Sequence, residues 1–448
     1  MRKFCLPLAA SAALLLHGAD MKIPFEKYTL KNGMKVILSQ DRAAPVVTVY
    51  MLYNVGSRSE EKGRTGFAHL FEHMMFQGSA NAPKGVHFKT VEANGGSLNG
   101  STHPDFTDYF ETLPSNKLAV GLWLESDRMR SLAITAPNLA NQKEAVKEER
   151  RLTFDNRPYN TAIVDVWPQL AFQNWQSSHS LIGSFEDLNA ASVEDVTKFF
   201  KTYYAPNNAI LCIVGDIQIP EAKKWIEAYF GDIPSQPQPH HPDLSEPGKF
   251  TPRTEVYKDP LAGVPAVIIG WPGPSRRSAD YNALVMLDAL LSGGDSSRFS
   301  LDLVKGKKSV ISYESNPGWP FASASDYKDP SLYATNLLHN PKFTGKEIVG
   351  QVQDEIAKIQ NEGVDIKELE RARTFLRATR IKDLQSALTR ATLLAQYEMF
   401  DGNPELIVSE LDTFLAVTPE QIQAVAKKYL VPEKRIVLEI VPAPKEKK

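Results

Sequence analysis

Residues 65–78 read Thr-Gly-Phe-Ala-His-Leu-Phe-Glu-His-Met-Met-Phe-Gln-Gly. With Thr65 as N-cap and Gly78 as stop, the stretch predicts a helix over 66–76. His69 and His73 then lie four residues apart on one face, a spacing at which two imidazoles can ligate one zinc ion. Glu72 sits on the same side, three residues from His69, where it can accept a proton from water. The order His-x-x-Glu-His is the inversion of the commoner His-Glu-x-x-His zinc motif. The bland alternative is a surface helix carrying two solvated His and a Glu. A catalytic zinc site needs three protein ligands and one open position, so the third must come from elsewhere. A second helical pattern over 138–154 offers Glu144, Glu148 and Glu149, and spacing alone does not choose among them.

The chain that must position these residues has 448 of them, 42% apolar and 23% charged, enough for two or three domains. Fifty-one Lys and Arg against 53 Asp and Glu leave a formal charge of −2 and no basic field for nucleic acid. Two cysteines exclude a disulfide scaffold and any multi-thiolate zinc site, which leaves His and carboxylates as metal ligands. Arg2 and Lys3 precede an apolar run over 4–16 and the first acid is Asp20. That is the layout of a secretory signal over 1–19, and it predicts an exported protein, periplasmic or secreted. The run is shorter than the about 20 residues of a membrane span, and no later segment comes closer, so no stable span is expected.

Pro234, Pro237, Pro239, Pro242, Pro247 and Pro252 mark a linker over 234–252, between a first domain (20–233) and a second (253–448). The two resemble each other. Ser192-Val-Glu-Asp and the strand-like run after Pro206 pair without a gap with Thr418-Pro-Glu-Gln and the run after Pro432, Tyr203 matching Tyr429. Each copy reads as a capped helix, a Pro stop and a β-branched strand. Earlier, Lys31-Asn-Gly33 predicts a hairpin turn between strands over 25–30 and 34–38, followed by a strand near 46–54 and helices over 66–76, 84–93, 115–131 and 138–154. The fold class expected is α+β: two homologous domains, each a mostly antiparallel sheet backed by helices in a two-layer sandwich.

Phe67-Ala-His-Leu-Phe-Glu-His-Met-Met-Phe-Gln-Gly-Ser79, Gly95-Gly-Ser-Leu-Asn-Gly-Ser-Thr102, Tyr109-Phe-Glu-Thr112 and Val146-Lys-Glu-Glu-Arg-Arg151 resemble the pitrilysin/insulinase family of zinc peptidases. The match is to its short-chain bacterial branch, similar to the subunits of mitochondrial processing peptidase, and covers nearly all of the chain after residue 19. The resemblance implies an endopeptidase for peptides or small unfolded proteins, with one Zn2+ per chain in the first domain, Glu72 as general base and a non-catalytic second domain. It also implies that the third ligand is Glu149; Glu148 would point about 100° away on a helix. The family often has another acid upstream of that ligand, where this chain has Gln142, so its support would be weaker or rerouted through Glu144. Asn99 and the strand around Tyr109 are implied to bind substrate in extended form. The family's second half usually supplies an Arg and a Tyr that hold substrate across a chamber. Residues 326–339 contain no Arg, and none occurs between Arg298 and Arg371. The expectation is therefore a heterodimer with a homologous subunit that has that pair but lacks the zinc motif. A homodimer would need Tyr327, Tyr333 or Lys328 as substitutes. The rival reading, a non-catalytic interaction subunit, sits poorly with a chain in which His69, Glu72, His73 and the distal Glu are all present.

The remaining polar candidates are weaker. His87, His103 and His179 have no partner at ligand spacing and read as surface or hydrogen-bonded histidines. His240-His241 falls in the linker, and Cys212 reads as a small core residue. Gly293-Gly-Asp-Ser-Ser-Arg298 lacks the Lys and spacing of a phosphate loop.

Overall fold

The computed structural model describes residues 22–248, 250–318, 327–329 and 331–443, so the expected signal over 1–19 lies outside the described residues. The first sheet is built from β1 (Glu26–Thr29), β2 (Lys35–Gln40), β3 (Val46–Tyr53), β4 (Ser97–Thr102), β5 (Thr107–Pro114) and β6 (Ala209–Gly215), in the order β1-β2-β6-β3-β5-β4. The Asn-Gly turn forms as expected. Gly33 takes φ 89°, and a side chain there would meet Asn207 Cβ at 2.7 Å. All neighbours pair antiparallel except β2 and β6, whose parallel pairing the strand pattern did not reveal.

The second sheet comprises β7 (Arg253–Asp259), β8 (Ala266–Pro272), β9 (Val310–Pro317), β10 (Leu332–His339) and β11 (Ile436–Pro442), ordered β7-β11-β8-β10-β9. Strand for strand it repeats β2-β6-β3-β5-β4, including a single parallel pair, β7 with β11. The sequence duplication is visible in it. Helices Val193–Tyr203 and Pro419–Tyr429 lead into β6 and β11, each opened by a reciprocal capping box, Ser192 with Asp195 and Thr418 with Gln421. Residues 234–248 contain neither helix nor strand. No described helix is long and apolar enough to cross a membrane.

One face of each sheet packs on helices that belong largely to its own half. Val49, Met51, Tyr109, Leu113 and Ile213 meet Phe71, Leu122 and Ile226 in the first; Val267, Ile269, Tyr333 and Val437 meet Leu287, Ile356 and Ile422 in the second. The other faces are covered by exchange. Ile37, Tyr50, Leu52, Cys212 and Val214 of the first sheet are buried under Ala391, Leu394 and Ala395 of helix Ala387–Asp401, from the second half. Ala266, Ile268, Ala334, Ile436 and Leu438 of the second sheet are buried under Ala162, Trp167 and Ala171, from the first. The expected sheet-plus-helix layering is present, with an additional helical layer contributed by the opposite half, a contact too distant in sequence for local periodicity to report.

Gly270 makes room for this exchange, since a Cβ there would strike the Trp167 ring at 2.7 Å. Trp167 is fully buried. Trp167→Ala should therefore lower unfolding stability in urea by about 3–5 kcal/mol, the usual cost of truncating a core aromatic. A loss below about 1 kcal/mol would mean that this contact does not hold the halves together.

Candidate metal centre and its support

The first motif forms helix Phe67–Met74, shorter than its apolar pattern suggested. Phe67, Leu70, Phe71 and Met74 face the core, the Phe71 ring lying 4.2 Å from that of Tyr204, which leaves His69, Glu72 and His73 on the opposite side. Thr65 is not the cap. Gly66 occupies the N-cap at φ 80°, and Thr65 instead donates its hydroxyl to Asp187 at 2.5 Å. The free backbone N–H groups of Gly66 and Ala68 donate to the buried carboxylate of Glu60 at 3.0 and 2.8 Å. His179 Nε2 lies 2.9 Å from the same carboxylate. Burial pushes Glu60 up, opposed by His179 and the two backbone donors; burial would lower His179, but Glu60 holds it above its usual value. Sequence reading missed Glu60 altogether, because a loop acid that caps a helix several residues on leaves no periodic signal.

The second helix, Ala136–Glu149, starts two residues earlier than expected, with Thr135 accepting from Asn138 N, and buries Leu139 and Val146. Glu149 is its last α-helical residue; the chain continues as a π-helical turn, Arg150–Asp155, a wider winding often found beside functional sites. Glu149 meets both imidazoles: its carboxylate oxygens lie 3.6 Å from His69 Nε2 and 3.1 Å from His73 Nε2. Glu148 turns outward to Arg151 at 3.0 Å and is 56% exposed. Donor atoms of His69, His73 and Glu149 lie within 4.8 Å of one another. Tetrahedral zinc with bonds of roughly 2.0–2.1 Å needs donors about 3.4 Å apart, so this set fits the ion without rearrangement of the backbone. The charges suit it too. Burial and the neighbouring His73 push His69 down to about 4, keeping its imidazole neutral. The hydrogen bond with His73, outweighing burial, holds Glu149 below its usual value, so it is ionised. Burial opposes a charge on His73, but Glu149 and Glu72 together raise it above its ordinary value.

Glu72 stands beside this triad. Thr102 Oγ1, at the end of β4, donates to Glu72 Oε2 at 2.6 Å, and burial raises the carboxyl above its usual range. β4 is an edge strand paired only with β5 among the described residues, and Asn99 is exposed on it. Tyr109 requires a correction. It is fully buried in the first core with its hydroxyl 3.1 Å from that of Tyr204, so its side chain cannot touch a substrate; the strand open to an extended peptide is β4. Glu144 is corrected as well, because it is 68% exposed and pairs with Lys147 at 2.5 Å, away from the triad. Gln142 is buried beside His73, filling the upstream position with a neutral amide that donates to Asn141 Oδ1 at 2.8 Å.

A second buried group, His87, Glu111 and Glu125, gathers under β5. Arg128 already supplies its cation, bonded to Glu125 and 3.7 Å from Glu111, so it is a neutralised internal cluster rather than a metal centre. His103 stacks on Phe106 at 4.1 Å, His241 lies 3.1 Å from the Asn54 side chain, and Cys212 is buried. Ser300 and Lys305 both donate to the Asp295 carbonyl, closing the Gly293–Arg298 turn on itself.

A duplicated α+β scaffold with one convergent His-His-Glu set in its first half defines a peptidase-type protein. Two sequence profiles of one family match it, Insulinase (Peptidase family M16) over residues 35–184 and the Peptidase M16 inactive domain over 190–376. The chain belongs to peptidase family M16, in its short bacterial branch. It is similar to zinc protease PqqE of Helicobacter pylori, 28% identical over 394 residues and 85% of each chain. It is also similar to the probable mitochondrial-processing peptidase subunit beta of Schizosaccharomyces pombe, 23% identical over 90% of this chain and 88% of that one. The crystal structure of a protease from Helicobacter pylori superposes with a TM-score of 0.87 at 26% identity, over 94% of this chain and 100% of that one. Sheet membership does not follow the boundary between the two profiles: β6 falls within the second profile yet is a central strand of the first sheet.

Proposed function

We propose that this chain is a zinc-dependent endopeptidase that cleaves peptides or small unfolded proteins. The observation that carries this reading is the convergence of His69, His73 and Glu149 with Glu72 beside β4, whose outer edge is unpaired among the described residues. His69, His73 and Glu149 would hold the ion, which when bound supplies Lewis-acid polarisation of the scissile carbonyl and a more acidic water. Glu72 takes the proton from the attacking water at its unanchored oxygen and returns it to the leaving amine. Glu60, which accepts from the first N–H groups of the motif helix, helps keep the two imidazoles in place. An extended peptide adds to the β4 edge by main-chain hydrogen bonds, with Asn99 beside it. Residues 20–233 form the catalytic domain and 253–448 its non-catalytic homologue, after a signal over 1–19 that directs export.

The partner in this proposal is a homologous subunit that brings the Arg and Tyr this chain lacks. Its own possible substitutes are committed elsewhere: Tyr333 is buried with its hydroxyl 3.3 Å from Ser315 Oγ, Tyr327 is buried, and Lys328 Nζ turns to Asn54 of the first half at 3.3 Å. Peptide-library cleavage by the purified chain, alone and with its co-purified partner, tests the reading. Cleavage should depend on the partner, stop on chelation and return with zinc. Full activity from the homogeneous single chain would overturn the heterodimer, and activity that survives removal of all metal would overturn the mechanism.

A further inference from the structure

We propose that Thr102 is a positioning residue for Glu72, fixing one carboxylate oxygen so that the other faces the reacting water; this rests on the peptidase reading above. The terminal torsion of a Glu side chain is broad and roughly two-fold, so an unanchored carboxylate presents either oxygen in a range of orientations. Here Thr102 Oγ1 holds Oε2 at 2.6 Å. Among the described residues it is the one hydrogen-bond donor to that carboxylate, and Oε1 is left free.

The second half supplies a contrast. Helix Ala279–Ser292 packs beside helix Ile366–Asp383 as the motif helix packs beside Ala136–Glu149, and β9 is the edge strand that corresponds to β4. On helix Ala279–Ser292, Asp288 Oδ1 accepts from the hydroxyl of Ser315 on β9 at 2.7 Å, Ser315 standing in the strand register at the row of Gly100, two residues from that of Thr102. The pairing of an edge-strand hydroxyl with a helix carboxylate thus exists in both halves. In the second, however, Ser292 Oγ also donates to Oδ1 at 3.0 Å, and the Tyr333 hydroxyl lies within reach. Asp288 is held by two serine hydroxyls with a tyrosine hydroxyl beside them, whereas Glu72 is held by the single hydroxyl of Thr102. That asymmetry is what a base needs and a structural carboxyl does not.

Thr102 also belongs to the strand on which the peptide is proposed to pair. Docking along β4 would stiffen its last residue, and with it the orientation of Glu72, so that the base is best aligned when the edge is filled.

Three variants test the inference: Thr102→Val, Thr102→Ser and, as control, Glu72→Gln. Thr102→Val should lower kcat about 10- to 100-fold with KM within about twofold, because a displaced catalytic group loses rate rather than binding. Zinc affinity by metal titration should be unchanged, since Thr102 is not a ligand, and Thr102→Ser should recover most of kcat. Should Thr102→Val fail to fold, Thr102→Ala carries the same expectation. Wild-type kcat in the Val or Ala variant, a loss shared equally by Ser, or an effect confined to KM or zinc affinity would each overturn the positioning role. An active Glu72→Gln control would instead overturn the peptidase reading, so the two failures are distinguishable.

Discussion

Glu72→Gln should retain its zinc and lose peptide cleavage by a factor of about 10²–10⁴, the range over which a positioned proton acceptor contributes. The separation of the two readouts follows from geometry. Glu72 is not among the three side chains whose donor atoms converge, and its hydrogen bond goes to Thr102, so an amide in its place disturbs neither imidazole. Gln can still accept from the Thr102 hydroxyl, which preserves packing while removing the basic oxygen. Metal content and turnover, measured on the same preparation, check it. If more than about a tenth of the cleavage survived, proton transfer through Glu72 would have to be abandoned.

Glu149→Gln should behave differently, lowering zinc affinity by at least about tenfold, as His69→Ala does, and losing activity with the metal. Removing an ionised ligand weakens both coordination and the charge balance that a divalent ion needs. Glu148→Gln is the matched control, because its side chain points outward to Arg151 and its loss should leave zinc affinity within about twofold of wild type. Titration with a competing chelator reads all three variants. Loss of zinc in the Glu148 variant alone would shift the ligand register by one residue.

Much of this centre was legible in the sequence because its geometry is local. His69, Glu72 and His73 share one helix face by spacing alone, and the structure places them so. Glu149 was separable from Glu148 only through family resemblance, since periodicity fixes relative angles and not which angle faces the partner helix. Tyr109 shows what strand alternation cannot supply. β5 lies between two other strands with both Asp108 and Tyr109 buried, so polarity gives no sign of which face meets the core. Thr65 was a sound N-cap by residue type, but the left-handed Gly66 moved the start of the helix and the buried Glu60 took over its first N–H groups. Glu144 was misplaced for a similar reason, because three residues along the helix a Lys was ready to draw it outward.

The reciprocal helices bear on why a half with no ligand set among its described residues persists in the chain. A redundant copy would ordinarily be free to shrink or disappear once its chemistry was lost. Here its helix Ala387–Asp401 roofs β3 and β6, the strands on whose other side the zinc-motif helix is seated. Deleting that copy would bare an apolar sheet to water and unseat the remaining one. The second half is retained as masonry: on the proposed reading, selection on the site acts on it through the wall it forms, and its sequence can drift wherever that wall is left standing.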